Sequence, residues 1–175
     1  MTDINSKARL IQCLICDLDG VLTDGQVSLD NTSIEMKSFY IQDGLGLKLL
    51  MGVGIHVAVI TGSNQPLIES RMRQLGIEHF FAGQTNKQHA YDTLKHRLQL
   101  TDAQFAYIGD DLPDYPIMQQ VGLGVAVANA VHAVKRGADV VTQQAGGHGA
   151  VREICDLILQ AQGLMEKATH HYLHS

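Results

Sequence analysis

Residues 16–25, "CDLDGVLTDG", hold three aspartates and two glycines and follow directly on the apolar stretch "LIQCLI". Charge at the mouth of a buried strand is costly unless something compensates it. The same thing recurs along the chain. Thr61 and Gly62 follow the apolar run "VAVI", Asp110 and Asp111 follow "FAYIG", and Lys87 opens a helical pattern after "GQTN". In an open parallel sheet, ligands bind beyond the carboxyl ends of the strands. Carboxylates, a hydroxyl and an ammonium would then meet on one rim. Any one Asp after a strand reads best as a turn or cap residue; all of them on the same rim read as a site.

Two other uses of such aspartates can be tested on spacing. A calcium loop needs oxygen ligands at its first, third and fifth positions, Gly at the sixth and Glu at the twelfth. Counted from Asp17 these last three are Val21, Leu22 and Ser28, so that use fails. A receiver domain also gathers acids, a Thr and a Lys on a parallel sheet. Its acidic pair comes first and its phosphoacceptor later, the reverse of the order here, which leaves it a weak second choice.

The elements that must position these residues follow from periodicity. Short apolar runs at 10–16, 57–60, 105–108, 124–127 and 139–141 predict strands. Helical patterns cover 44–51, 66–75, 87–98, 115–121, 131–136 and 150–162. The last is clearest, with Val151, Ile154, Leu157, Ile158 and Ala161 at helical spacing and Gly163 placed to close it. Strands alternating with helices predict an α/β fold, a Rossmann-like parallel sheet with helices on both faces. One segment breaks the rhythm. Residues 26–42 alternate Val27, Leu29, then Ile34 and Met36 around the turn signal "DNTS", which predicts an inserted β-hairpin after the first strand. A lone hairpin is marginal in water, so its apolar face is expected to be buried on the domain or on another subunit.

Composition bounds the rest. At 175 residues the chain reads as a single domain over 1–175. With 45% hydrophobic and 18% charged residues it reads as globular, and the net charge of −5 without a basic run argues against nucleic acid as a partner. No apolar run suits a membrane span, and the start is not a signal peptide, so a cytoplasmic location without membrane association is expected. Three cysteines argue against a disulfide framework. Cys13 and Cys16 form a C-x-x-C within an apparent strand and read as small buried side chains.

Taken together, "DLDGVLTDG", "ITGSN", Lys87 and "GDDLPD" resemble, in order, the four motifs of the haloacid dehalogenase-like phosphatases. "SFYIQDGLGLKLL", "AYIGDDLPDYPIM" and "GGHGAVREICDLILQAQG" are further similar to a branch without a cap domain, the 3-deoxy-D-manno-octulosonate 8-phosphate phosphatases of lipopolysaccharide synthesis. The resemblance runs from about residue 10 to 163. It implies Mg²⁺ as cofactor, with Asp17, Asp19 (through its carbonyl) and Asp110 as ligands. It implies Asp17 as the nucleophile that forms an aspartyl-phosphate, and Asp19 as general acid and then base. Thr61 and Gly62 would hold phosphate oxygens and Lys87 would neutralise transition-state charge. Asp111 would hold a metal-bound water or orient Lys87, and Asp114 would cap the next helix.

The same resemblance implies that Thr23 and Gly25 shape the loop and the substrate approach, and that His148 touches substrate, against the ordinary expectation of a solvated histidine. It implies a homotetramer with active sites at subunit interfaces. The tail at 164–175, with His170, His171 and His174, is expected to be flexible.

Two positions depart from the group. Ser63 and His148 stand where many members carry cations, and a sugar acid's carboxylate is best met by Arg. Arg71, Arg73, Lys37, Lys48 and Arg152 are the candidates to compensate. The expected reaction is hydrolysis of a small phosphorylated sugar acid, 3-deoxy-D-manno-octulosonate 8-phosphate first. The alternatives are a nonulosonate 9-phosphate or another small phosphate and, in a different class, a non-catalytic phosphate-binding scaffold.

Overall fold

The computed structural model describes residues 3–29 and 35–174. In chain order its elements are α1 (Ile4–Ala8), β1 (Cys13–Cys16), β2 (Ser28–Leu29), β3 (Glu35–Met36), α2 (Ile41–Gly52), β4 (His56–Ile60) and α3 (Pro66–Leu75). There follow β5 (His79–Phe81), α4 (Lys87–Leu98), β6 (Phe105–Gly109), α5 (Tyr115–Met118) and β7 (Leu123–Ala126). The chain closes with α6 (His132–Gly137), β8 (Val140–Val141), α7 (Ala150–Ala161) and α8 (Met165–Leu173).

Six strands form one parallel sheet in the order β5-β4-β1-β6-β7-β8. β1 and β6 lie at its centre, and every residue of both is buried. That explains why they read as continuous apolar runs and not as alternating ones. A right-handed crossover lays its helix on one face when the chain moves one way along the sheet, and on the other when it moves back. From β1 the chain steps outward to β4 and β5 through α2 and α3. From β6 it steps the opposite way to β7 and β8 through α5 and α6. Helices therefore cover both faces. The direction reverses between β1 and β6, and such a reversal opens a crevice at the carboxyl ends of the strands.

Three features were not legible in the sequence. β5 carries only three half-buried residues at the sheet edge, too few to show a period. α1 is similarly short. The tail expected to be flexible instead forms α8, which packs on α2 and α7 with Ala168 buried. Cys13, Cys16 and Cys155 are buried and unpaired. Among the described residues no helix is long and apolar enough to cross a membrane.

In the insert, Ser28 faces Met36 and Leu29 faces Glu35 in an antiparallel pair. The predicted turn "DNTS" and Ile34 lie outside the described residues. Val27 and Met36 are 62% and 65% exposed, so the body of the domain does not cover them.

Candidate active site

Asp17 and Asp110 leave the ends of neighbouring strands. Cys16 lies opposite Ile108, and the Asp17 N–H donates to the Ile108 carbonyl at 3.0 Å, so the two carboxylates emerge side by side. Gly20 makes room for the second. A Cβ there would sit 2.2 Å from Asp110 Oδ2, and its φ of +89° is one that glycine alone adopts easily.

Lys87 enters from the other direction as the first residue of α4, whose start is fixed by Asn86 accepting from the Gln88 N–H at 3.0 Å. Its ammonium is buried and bridges Asp17 and Asp114, the latter at 2.7 Å. Asp114 is where the sequence expectation needs correction. Its side chain makes no cap bond to α5. Oδ1 accepts from Lys87 and from the Tyr107 hydroxyl at 2.8 Å, while Oδ2 accepts from the N–H groups of Asp110 at 3.0 Å and Asp111 at 3.2 Å. Its oxygens are thus committed to holding Lys87 and the Asp110 loop in place. The orienting role considered for Asp111 belongs to Asp114; Asp111 is exposed and accepts from the Leu112 N–H at 2.7 Å.

Oxygens of Asp17, Asp110 and Asp114 lie within 4.8 Å of one another, with one ammonium among them. The excess negative charge shows in the acidities. Burial, offset only in part by Lys87, raises the Asp17 pKa, and Asp114 adds to the rise. Burial pushes Asp110 up to about 7, with the charges of Asp17, Asp114 and Asp111 contributing. Burial opposes the charge of Lys87, yet Asp17 and Asp114 outweigh it and its pKa is raised. Among the described residues no hydrogen-bond donor reaches the Asp110 side chain. Two adjacent carboxylates, one of them without a protein donor, suit a hard divalent cation that prefers oxygen ligands. Because the oxygens of Asp114 are occupied, such an ion fits between Asp17 and Asp110.

In the same cleft, Thr61 directly follows β4 and is buried. Its Oγ1 accepts from the Ser63 N–H at 3.0 Å, which leaves its own proton to donate. The Thr61 carbonyl accepts from the Gln84 N–H at 2.8 Å, locking this loop to the one that leads into α4. Asp19 stands at the opening, its side chain 38% exposed, and its Oδ1 accepts from Lys37 Nζ at 2.6 Å. Thr23 is buried under the loop. Its Oγ1 accepts from the N–H groups of Gly20 and Gly25 and donates to the Leu18 carbonyl.

One cleft of about 460 Å³ brings together Asp17, Asp19, Gly25, Thr61, Gly62, Lys87, Asp110 and Asp111. His148 is not among them; it is exposed and lines a separate cavity with Tyr40 and Arg152. The glycines around it serve the backbone. A Cβ on Gly146 would meet the Gly20 carbonyl oxygen at 1.7 Å, and the Gly147 N–H donates to the Val21 carbonyl at 2.8 Å. Of the five candidate cations only Lys37 reaches the cleft within the described residues. Arg71 stacks on Phe39 at 5.5 Å, Arg73 pairs with Glu69 and Arg152 with Asp156, and Lys48 is exposed.

The profile of the haloacid dehalogenase-like hydrolases matches residues 74–154. The 3-deoxy-D-manno-octulosonate 8-phosphate phosphatase of Escherichia coli (strain B / BL21-DE3) is 46% identical over 166 residues, 95% of this chain and 88% of that protein. The chain belongs to this phosphatase family, within the haloacid dehalogenase-like hydrolases. A second family member, from Yersinia pestis, is 48% identical over 167 residues, covering 95% of this chain and 89% of its own. Among solved structures, the family enzyme of Moraxella catarrhalis, crystallised in complex with a magnesium ion, a phosphate ion and a KDO molecule, superposes with a TM-score of 0.94. It is 40% identical and covers 98% of this chain and 99% of that one.

Proposed function

We propose that this chain is a Mg²⁺-dependent phosphomonoesterase that hydrolyses 3-deoxy-D-manno-octulosonate 8-phosphate to 3-deoxy-D-manno-octulosonate and phosphate in the cytoplasm, as a step of lipopolysaccharide synthesis. The observation that carries the reading is the single cleft in which Lys87 bridges Asp17 and Asp114 while Asp110 and Thr61 face the same space.

Asp17, Asp110 and the Asp19 carbonyl would hold Mg²⁺. When bound, the ion screens the phosphate dianion from the carboxylates around it. The chain's own groups supply the rest. Thr61 Oγ1 and the Gly62 N–H bind phosphate oxygens, and Lys87, fixed by Asp114, faces the charge that grows on them. Asp17 attacks phosphorus in line, the phosphorus–oxygen bond to the sugar breaks, and the departing oxygen takes a proton from Asp19. Asp19 then removes a proton from the water that cleaves the aspartyl-phosphate, which returns Asp17.

The exposed apolar residues Val27, Met36 and Ile41, the last 81% exposed, cluster on and beside the hairpin. They support a homotetramer in which neighbouring hairpins bury one another and complete each open cleft. Light scattering at micromolar concentration tests this, and a monomer there contradicts it.

The test of the reaction is phosphate release, with Mg²⁺, from a panel holding the octulosonate 8-phosphate, a nonulosonate 9-phosphate and neutral sugar phosphates, beside an Asp17→Asn control. Preference for the octulosonate ester supports the assignment. Preference for the nonulosonate moves the substrate and keeps the mechanism. Equal inactivity of wild type and mutant on every ester returns the chain to a binding module.

A further inference from the structure

We propose that Lys37 is a positioning residue for Asp19, carried into the site by the hairpin insert; the proposal rests on the phosphatase reading above. The two residues belong to different parts of the fold. Asp19 lies in the loop after β1, and Lys37 directly follows β3. Their side chains meet at 2.6 Å between Lys37 Nζ and Asp19 Oδ1. The burial is lopsided: the lysine side chain is 5% exposed and the aspartate side chain 38%. A lysine gives up much rotamer freedom when it is buried this way, so surface chance is a poor explanation. Both side chains line the cleft, the lysine largely covered and the carboxylate more open to it.

Among the described residues Lys37 is also the only donor that reaches the Asp19 carboxylate. Asp17 is held by Lys87, and Asp114 by four donors, whereas Asp19 sits on a half-open loop. A proton donor must stand within hydrogen-bond reach of the oxygen it serves. Binding Oδ1 to the lysine fixes the rotamer and leaves Oδ2 to deliver a proton to the departing sugar oxygen. A competing assignment gives Lys37 the substrate's carboxylate. In an 8-phosphate that group lies at the far end of an eight-carbon chain from the phosphate, whereas Lys37 lies beside the group that serves the phosphate ester bond.

The experiment compares kcat/KM of wild type, Lys37→Met and Lys37→Arg at saturating Mg²⁺ on three esters: the octulosonate 8-phosphate, a neutral sugar phosphate and p-nitrophenyl phosphate. This ratio reports the steps up to departure of the leaving group, and nitrophenolate departs without a proton. Lys37→Met should lower kcat/KM on both sugar esters by about 10- to 100-fold, within the range that general acids contribute. The aryl ester should change by less than about threefold, and Lys37→Arg should restore most of the loss. The ratio between esters is taken within one protein, so it is unaffected by partial unfolding of the variant. Equal losses on all three esters, no loss on any, or a rise in KM confined to the carboxylate-bearing ester would each overturn the proposal. Failure of wild type to release phosphate from any ester would overturn the phosphatase reading itself.

Discussion

Gly20 and Asp110 are matched by shape: a single carbon added to the first would overlap an oxygen of the second at 2.2 Å. The Gly20→Ala protein should therefore lose both its loop conformation and the place of the Asp110 carboxylate. Strain at a positive φ costs about 1–3 kcal/mol. We expect a lowered Tm together with at least a tenfold weaker Mg²⁺ requirement curve, read as the Mg²⁺ concentration at half-maximal activity. An unchanged Mg²⁺ dependence would show that Asp110 does not bind the ion.

Asp114→Asn should separate positioning from chemistry. The amide oxygen can still accept from the Asp110 and Asp111 N–H groups, but its NH₂ then faces two donors, Lys87 and Tyr107. Lys87 would keep only Asp17. Loss of one such electrostatic contribution typically costs about 10²-fold in kcat. Asp17→Asn removes the proposed nucleophile, and no phosphorylated protein should form. Detection of the phosphoenzyme after acid quench distinguishes the two variants: Asp114→Asn labels slowly, Asp17→Asn not at all.

In the proposed site, protons and Mg²⁺ would compete for the same oxygens. Without metal, the folded-state pKa of Asp110 is about 7 against 3.8 for an ordinary aspartate, and that of Asp17 is raised as well. Between these limits the folded chain binds more protons than the unfolded chain. These groups therefore destabilise the metal-free protein at high pH, and that cost is relieved as pH falls through about 7. The rise in Tm on adding Mg²⁺ should be larger at pH 8 than at pH 6. Asp110→Asn should flatten that difference, and a difference that survives the substitution would locate its source elsewhere.

Gly146→Ala should damage a site it does not touch. Its Cβ would press on the Gly20 carbonyl oxygen at 1.7 Å and push the loop that carries Asp19. Overpacking of this kind costs about 1–3 kcal/mol. Activity and Tm should fall together, whereas His148→Ala, at an exposed neighbouring position, should leave Tm within about 2 °C because surface changes stay near ±0.5 kcal/mol.

Much of this protein was legible residue by residue. The apolar runs that became β1, β4, β6 and β7 are buried because a central parallel strand is covered on both faces, and that condition is written locally as continuous hydrophobicity. α3 and α4 start and stop at the predicted residues because Pro66 and Asn86 mark the starts and Gly76 closes α3. Asp17, Asp19, Thr61 and Asp110 stood out because a charged or hydroxyl residue after a buried strand is locally anomalous, whereas Lys87, at a helix start, stood out only through the motifs around it.

The tertiary structure alone decided the partners of those residues. That Asp114 holds Lys87 and not a helix end, that Gly146 supports the Gly20 loop, and that Lys37 meets Asp19 all depend on contacts between segments far apart in the chain. A residue's type and spacing report its own backbone neighbourhood. Which lone pair meets which proton across the fold is set only when the strands take their order in the sheet.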